Sequence, residues 1–273
     1  MTNVRGTYPC DNQNHAVFNA TTQKRNWVDP HTGLFEAHVP LPSITGNAGS
    51  GPVVDMTLFY TPVVNNQAGL GDGWSCAFTT YSEAHNQLTL HSGEVLTVER
   101  GKALETTAVY ASWVEDGTAL RVKRRDGRVE ILKQVSNSKI YVPESLTFDG
   151  YNLITLSWKA LEHTLAGVLH HQILLTGIND PTRELVKVDY ALVDGTGPVT
   201  ITFWPDDAEE TLAFTLAVKG YTLDTVTSPE KTTTQLTYST DADCGELLTT
   251  IETFEGVKES VQYDGAGIAF PTD

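Results

Sequence analysis

The sequence has few basic residues and no long apolar run, and each shortage excludes a class of protein. It contains 18 Lys and Arg against 34 Asp and Glu, so its formal net charge of −16 repels phosphate backbones and anionic lipid headgroups. We therefore expect no nucleic-acid partner. No stretch approaches the ~20 uninterrupted apolar residues that span a bilayer, and the N-terminus lacks the apolar segment of a signal peptide. We expect no membrane insertion, and any export should use a route other than Sec.

Cysteine is also scarce. Cys10, Cys76 and Cys244 are odd in number, lie far apart and show no CxxC spacing. This pattern predicts buried thiols in a protein made in a reducing compartment, and it argues against a disulfide framework.

Turn signals recur along the chain, and the segments between them alternate with the two-residue period of a half-buried strand. Residues 88–91 and 94–98, for example, flank Ser92 and Gly93, as two strands of a hairpin flank a tight turn. Similar pairs surround Asp126 with Gly127 and Asp149 with Gly150. With 40% apolar residues available for a core, the sequence predicts an all-β fold. We expect antiparallel hairpins and meanders in curved, extended sheet strips, with little helix.

The chain divides into three regions by composition. Residues 1–50 contain many Asn, Gly, Pro and Thr, and they predict an irregular N-terminal covering segment. The stretch 41–52 predicts a long irregular loop or a covering segment that should lie on the surface. Residues 51–170 form an antiparallel β-hairpin region, and residues 171–273 form degenerate β-repeats.

One stretch within the hairpin region, residues 159–171, is ambiguous. The stretch fits strands, but it also fits a helix with one apolar face made of Leu161, Leu165, Val168 and Leu169. Strands are favoured because Gly167 would weaken a helix interior by roughly 1 kcal/mol relative to alanine.

An internal repeat is the most informative feature of the last hundred residues. Segments starting at Leu175, Leu223 and Leu248 align without a gap, each with an apolar β-branched residue three positions later and an aliphatic residue thirteen positions later. Each closes fifteen positions after its start with a tyrosine, namely Tyr190, Tyr238 and Tyr263. A degenerate copy starting near Val199 fits the wider gap. Such periods predict an array whose units bury their faces on their neighbours.

These residues resemble the Rhs/YD-repeat family, which includes shell-forming subunits of bacterial insecticidal toxin complexes. Residues 259–265 contain the Tyr-Asp pair that names the family, Tyr263 and Asp264, whereas Tyr190 and Tyr238 lack the aspartate and mark degenerate copies. Four further stretches resemble the region that precedes the repeats in the family, and they are residues 28–33, 46–52, 59–62 and 69–75. The resemblance covers about residues 27–270 and assigns Tyr190, Tyr238, Tyr263 and Asp264 as repeat-closing residues.

The resemblance implies a β-strip that spirals into a hollow shell and sequesters a toxic C-terminal domain. This chain is short, and neither a toxin domain nor the family's self-cleaving portion follows the repeats. We therefore expect a non-enzymatic segment of a larger shell, or a reduced relative, whose partners are other shell segments or a toxin-complex subunit. It would be made in the bacterial cytoplasm and exported by a non-Sec route, or stay cell-associated within a larger toxin. Exposed edge strands would favour self-association.

Motifs for chemistry are incomplete. The serine that follows the glycines of residues 71–75 lacks the closing glycine of a nucleophile elbow. The glycine-rich residues 46–51 lack the Lys-Ser/Thr of a phosphate-binding loop. His163, His170 and His171 have no carboxylate or cysteine at a ligand spacing, and residues 206–210 resemble a calcium loop only loosely. We expect no catalytic residue, no cofactor and no metal.

Tryptophan supplies the main alternative, a carbohydrate-binding β domain. A sugar platform could use some of the five tryptophans, which are Trp27, Trp74, Trp113, Trp158 and Trp204. Core packing is favoured because each lies in an apolar strand, and a platform would need two exposed, coplanar rings. A hydrolase with paired carboxylates is a third hypothesis, since carboxylate separation is set by the three-dimensional structure.

Overall fold

The computed structural model describes residues 26–28, 35–62, 68–114, 116–148, 150–165, 168–241 and 245–263. These residues lie mostly in antiparallel β-strands, so the predicted all-β fold class is confirmed. None of the helical residues among them forms a segment able to cross a bilayer.

The strands near the N-terminus form a covering layer. It consists of β1 (Trp27–Val28), β2 (Phe35–Val39), β3 (Ser43–Thr45), the short helical turn α1 (Gly46–Gly49), β4 (Val53–Asp55), β5 (Leu58–Tyr60) and β6 (Trp74–Cys76). One small sheet has the order β1-β2-β5-β6, and β3 and β4 form a separate hairpin. In the four-stranded sheet, inward-facing residues alternate with outward-facing ones, as the buried and half-buried positions of β2 show.

The remaining strands form one long sheet, called the strip below. A first group comprises β7 (Thr80–Ser82), β8 (Gln87–Thr89), β9 (Val95–Thr97), β10 (Leu104–Glu105), β11 (Val109–Trp113), β12 (Ala119–Arg124), β13 (Arg128–Gln134) and β14 (Ile140–Phe148). A second group comprises β15 (Tyr151–Leu165), β16 (Val168–Asn179), β17 (Glu184–Tyr190), β18 (Gly197–Phe203), β19 (Leu212–Lys219), β20 (Thr222–Thr227), β21 (Thr233–Asp241), β22 (Gly245–Glu252) and β23 (Lys258–Ser260).

Each strand from β10 to β23 pairs with the next one in sequence, so the strip is a meander. Strands β7 to β9 branch from it at β14. Tyr141, near the start of β14, is opposite Tyr81 of β7, whereas Ser145 is opposite Thr155 of β15. One edge of β14 therefore serves two neighbours in succession.

The larger of two hydrophobic cores lies between the covering layer and the second half of the strip. Leu58 and Trp74 of the covering layer belong to the same buried cluster as Ile201, Leu216 and Leu223 of the strip. Burying a side chain of this size stabilises a fold by about 1.5–3 kcal/mol. The covering layer therefore shields one face of the repeats from water.

The smaller core involves the first half of the strip. Tyr81 and Leu88 from the branch pack with Leu120, Leu132 and Tyr141. The hairpins predicted around Gly93 and Gly127 lie here, as β8 with β9 and β12 with β13.

A β-bulge recurs at the same place in each of the three predicted repeats. The register skips the residue directly after the starting leucine, so the skipped residues are Thr176, Asp224 and Thr249. A bulge bends its strand and increases the local twist, so repetition at matched positions curves the strip. Residues three positions after each leucine are buried, and they are Ile178, Val226 and Ile251.

The copy predicted near Val199 differs from these three. Strand β18 pairs with β17 and β19 without a register shift, so this unit has no bulge. Its closing residue, Phe214, contacts buried Phe203 with ring centroids 5.8 Å apart.

Two local expectations have different outcomes. Residues 159–171 contribute to β15 and β16, so the preference for strands is confirmed. Residues 41–52 supply β3 and the turn to β4 within the covering layer, but the expectation that they lie on the surface is wrong for Leu41 and Ile44, which are buried. Asn47 and Ala48 have φ angles of 55° and 52°, so the turn is left-handed and returns the chain to the core.

Candidate functional site: the tyrosine seam

The three predicted repeat-closing tyrosines lie where the strip meets the covering layer. Tyr190, Tyr238 and Tyr263 are half-buried and pack against the larger core. Together with Tyr60 of β5 they form what we call the tyrosine seam. Asp264 and Trp27's side chain lie outside the described residues.

Tyr238 joins both ends of its own repeat to the covering layer. Its hydroxyl donates a hydrogen bond of 2.7 Å to the Leu223 carbonyl, and Leu223 is the first residue of the repeat, 15 positions earlier. The same hydroxyl accepts a hydrogen bond of 2.8 Å from the indole Nε1 of Trp74. One phenol therefore closes the repeat and anchors β6 to it.

Tyr263 repeats this arrangement. Its hydroxyl donates to the Leu248 carbonyl at 2.9 Å, again across 15 positions. Burial raises the pKa of Tyr263 to about 12, and a backbone hydrogen bond from Phe35 in the covering layer acts in the opposite direction. The phenol stays protonated near neutral pH and remains a donor.

Tyr190 contacts the covering segment differently. Its hydroxyl donates to the Ala68 carbonyl at 3.4 Å, outside its own repeat. Burial is the largest cause that raises the pKa values of Tyr190 and Tyr238, so both phenols also stay protonated. The three repeat-closing phenols therefore remain hydrogen-bond donors near neutral pH.

Tyr60 is a seam residue that the sequence did not identify. Its hydroxyl accepts a hydrogen bond of 2.9 Å from the Leu248 amide, 188 positions away. Its ring centroid lies 5.4 Å from that of Trp74 and 6.4 Å from that of Tyr238. The available signal was its place beside Leu58 in an alternating strand, which predicts burial but no partner.

Glycine allows the segment before β6 to lie directly on the strip. A Cβ on Gly71, whose φ is +108°, would be 2.7 Å from the Leu223 amide nitrogen, and one on Gly73 would be 2.5 Å from Cε2 of Tyr60. Between them, the Asp72 amide donates to the Tyr221 carbonyl at 2.6 Å. A side chain at Gly71 would push the covering segment off the strip.

Asp180 fastens the β3–β4 hairpin at a second point. Its carboxylate accepts hydrogen bonds from the amides of Asn47, Thr182 and Arg183 at 2.8, 2.7 and 3.0 Å, and from the Thr182 hydroxyl at 2.6 Å. Burial acts to raise the pKa of Asp180, but these hydrogen bonds outweigh it and lower the pKa from 3.8 to about 2. The ionised carboxylate therefore stabilises the contact between covering layer and strip.

Tryptophan side chains lie in separate surroundings. Trp74 is buried in the larger core, while Trp113 contacts Tyr81 and Tyr141 in the smaller one. The two others have their own partners, since Trp158 donates to the Pro143 carbonyl at 2.6 Å and Trp204 packs against Phe203. This arrangement lends no support to a shared sugar platform.

The residues considered for chemistry occupy ordinary structural positions. Ser75 lies in β6 opposite Phe59, and the Asp207 carboxylate accepts hydrogen bonds from the Glu209 and Glu210 amides in its own turn. His163 and His170 are opposite each other in the backbone register, but their side chains and that of His171 are outside the described set. Within the described residues, no group of three His, Cys, Asp or Glu could hold a metal ion.

Cys76 has a free thiol that contacts the Met56 carbonyl at 3.9 Å, and burial raises the pKa of this thiol to about 12. Cys10 and Cys244 lie outside the described residues. A thiol with this pKa stays protonated and is a poor nucleophile.

Comparison with known proteins gives limited similarity. No protein-family model matches the chain, and no curated protein matches it. Among solved structures, the chain is similar to a chain in the Tc holotoxin pore of Photorhabdus luminescens, in a form that carries a mutation in TccC3. The TM-score is 0.44 and the identity is 13%. The match covers 83% of this chain and 16% of that chain, so this chain spans a small part of it. Similarity at this level does not assign a function.

Proposed function

We propose that this chain is a non-enzymatic structural segment of the wall of a larger β-shell of the Rhs/YD-repeat type. One observation carries the proposal. The same unit, with a bulge after its first leucine and a tyrosine 15 positions later that donates to that leucine, occurs at Leu223 and again at Leu248.

Such a unit suits a wall because it extends a sheet by addition. Each unit adds strands to the meander, and the matched bulges give each addition a similar bend. The last described strand, β23, is exposed along its length, and its register among the described strands is with β22, so a further unit could pair with its other edge. A curved strip with an extendable edge is the geometry that a container wall requires.

The proposed setting follows from this role. The chain would act with other segments of an Rhs-type shell or with a subunit of a toxin complex, and no residue in it would perform chemistry. It would be made in the bacterial cytoplasm and reach the exterior by a route other than Sec, or remain cell-associated within a larger toxin. Self-association through edge strands would occur when those neighbours are missing.

The size of the native polypeptide tests the proposal. An antibody raised against this chain should detect, in an immunoblot of source cells, a band far above the 29.8 kDa of the chain. A lysate boiled immediately in denaturant with protease inhibitors would serve as the control for proteolysis. A single band near 29.8 kDa under those conditions would contradict a wall segment.

A further inference from the structure

Alternate connections of an antiparallel meander lie at the same rim of the sheet. We define the even rim as the set of connections that follow the even-numbered strands β12 to β22. Their described residues are 125–127, 150, 180–183, 204–211, 228–232 and 253–257. On the opposite, odd rim, the described connections are those that follow β13, β17 and β19, at residues 135–139, 191–196 and 220–221.

The even rim carries an exposed apolar patch. Phe148 and Tyr151 are opposite each other across β14 and β15, and they are 45% and 76% exposed. On the β13 side of β14, Arg128 is opposite Phe148, and its guanidinium donates a hydrogen bond of 3.2 Å to the Val53 carbonyl. Val53 is 54% exposed. We call Val53, Phe148 and Tyr151 the rim patch. Contiguous exposed apolar side chains mark interaction surfaces, and aromatic residues are enriched in them.

The same rim is acidic beyond the patch. Its connections at residues 180–183, 204–211, 228–232 and 253–257 contain six carboxylates that are not buried, which are Asp206, Asp207, Glu209, Glu210, Glu230 and Glu255, and the buried Asp180. Arg183 and Lys231 are the bases in these four connections, and the connection at residues 125–127, beside the patch, contains Arg125 and Asp126. On the odd rim, the three connections named above contain one acid, Asp194, and one base, Lys139. Among the described connections, acidic charge is therefore concentrated on the rim that bears the patch.

The patch and the acidic turns are close enough to act together. Strand β18, which leads into the turn at residues 204–211, lies three strands from β15. At a strand spacing of about 4.8 Å this is about 14 Å across the sheet. The register also places Phe203 level with Leu156, which is five residues, or about 17 Å, along β15 from Tyr151, so the separation is about 22 Å. An interface of ordinary size buries about 800 Å² on each partner, which is wide enough to include both features.

We infer that the even rim is a docking surface for a cationic protein surface with an apolar centre. The rim patch would provide the apolar anchor, and the acidic turns would attract and orient the basic periphery of the partner. A second copy of this chain is disfavoured, because each copy carries a net charge of −16. The inference does not depend on the proposed role of the strip as a wall.

A labelled peptide of about ten residues with alternating Lys and Leu is a direct probe. It is about 33 Å long when extended, which is enough to contact both the rim patch and the acidic turns. A Lys/Ser peptide of equal charge is its control. Fluorescence anisotropy should show that the chain binds the Lys/Leu peptide about tenfold more tightly than the Lys/Ser peptide. Tyr151→Ser should remove most of this preference.

Val193→Ser is the matched control, because Val193 is 73% exposed and lies on the odd rim. It should leave peptide affinity unchanged. The double variant Asp206→Asn/Glu209→Gln should bind both peptides more weakly and with less dependence on salt, whereas Asp194→Asn should not. Circular dichroism should confirm that all variants keep the β spectrum of the parent.

Three results would overturn the inference. The first is equal affinity of Tyr151→Ser and the parent for the Lys/Leu peptide, and the second is an equal loss with Val193→Ser. The third is self-association of the parent, measured by sedimentation velocity, that Tyr151→Ser abolishes, because the occupant would then be a second copy.

Discussion

Replacing Tyr238 by phenylalanine tests the tyrosine seam with the smallest change to packing. The variant keeps the ring and removes only the hydroxyl that donates to the Leu223 carbonyl and accepts from Trp74 Nε1. Both partners are left without that hydrogen bond in a part of the structure where burial already raises the pKa of the phenol. The variant therefore isolates the polar contribution of the seam.

Two lost partners set the expected magnitude. A buried donor or acceptor left unsatisfied costs about 1–3 kcal/mol, so we expect the loss of both to lower the free energy of unfolding of Tyr238→Phe by about 2–6 kcal/mol. Tyr110→Phe is the matched control, because Tyr110 is 45% exposed and should change stability by less than about 0.5 kcal/mol.

Urea denaturation followed by tryptophan fluorescence and circular dichroism would measure both variants. A double-mutant cycle with Trp74→Phe should give a coupling energy of about 1 kcal/mol or more between the two side chains. If Tyr238→Phe unfolds at the same urea concentration as the parent, or if the cycle is additive, the seam does not hold the covering layer to the strip.

Four further predictions use other contacts of the covering layer. Folding lowers the pKa of Asp180 from 3.8 to about 2, so the ionised carboxylate stabilises the fold above about pH 4, and this stabilisation is lost as the pH falls towards 2. Between pH 4 and pH 2, the urea midpoint of the parent should therefore fall more steeply than the urea midpoint of Asp180→Asn. Tyr263→Ala should cost about 3 kcal/mol in urea denaturation, and a parent-like midpoint would exclude a core role. Gly71→Ala should destabilise by about 1–3 kcal/mol more than Gly93→Ala, because both glycines have positive φ but only the first has neighbours within 4 Å of its added Cβ. The Cys76 thiol, with a pKa of about 12, should react with iodoacetamide far more slowly in the native protein than in urea, and equal rates would contradict its burial.

The sequence predicted the strands and the spacing of the repeats because both follow from local patterns. Turn glycines such as Gly93 and Gly127 have positive φ in the structure, as the hairpin prediction requires. Bulges were not predicted, although a signal exists. Leu223 and Val226 are both buried yet three positions apart, which a regular strand with a two-residue period would place on opposite faces. The bulge at Asp224 resolves this conflict.

Contacts between the covering layer and the strip were beyond sequence reasoning. Tyr60 and Leu248 are 188 positions apart, and Asn47 and Asp180 are 133 apart. No local pattern encodes such pairs, because they depend on how the covering layer lies across the meander. The surface position expected for residues 41–52 was wrong in part for the same reason, since their composition gave no sign that Gly46 lies against Leu185.

Electron cryomicroscopy of the native particle, isolated with an antibody to this chain, tests the central claim most directly. The account predicts a hollow particle whose wall contains the bulged strip, with further strands paired to the outer edge of β23. A compact particle with no enclosed volume, in which that edge faces solvent, would contradict it.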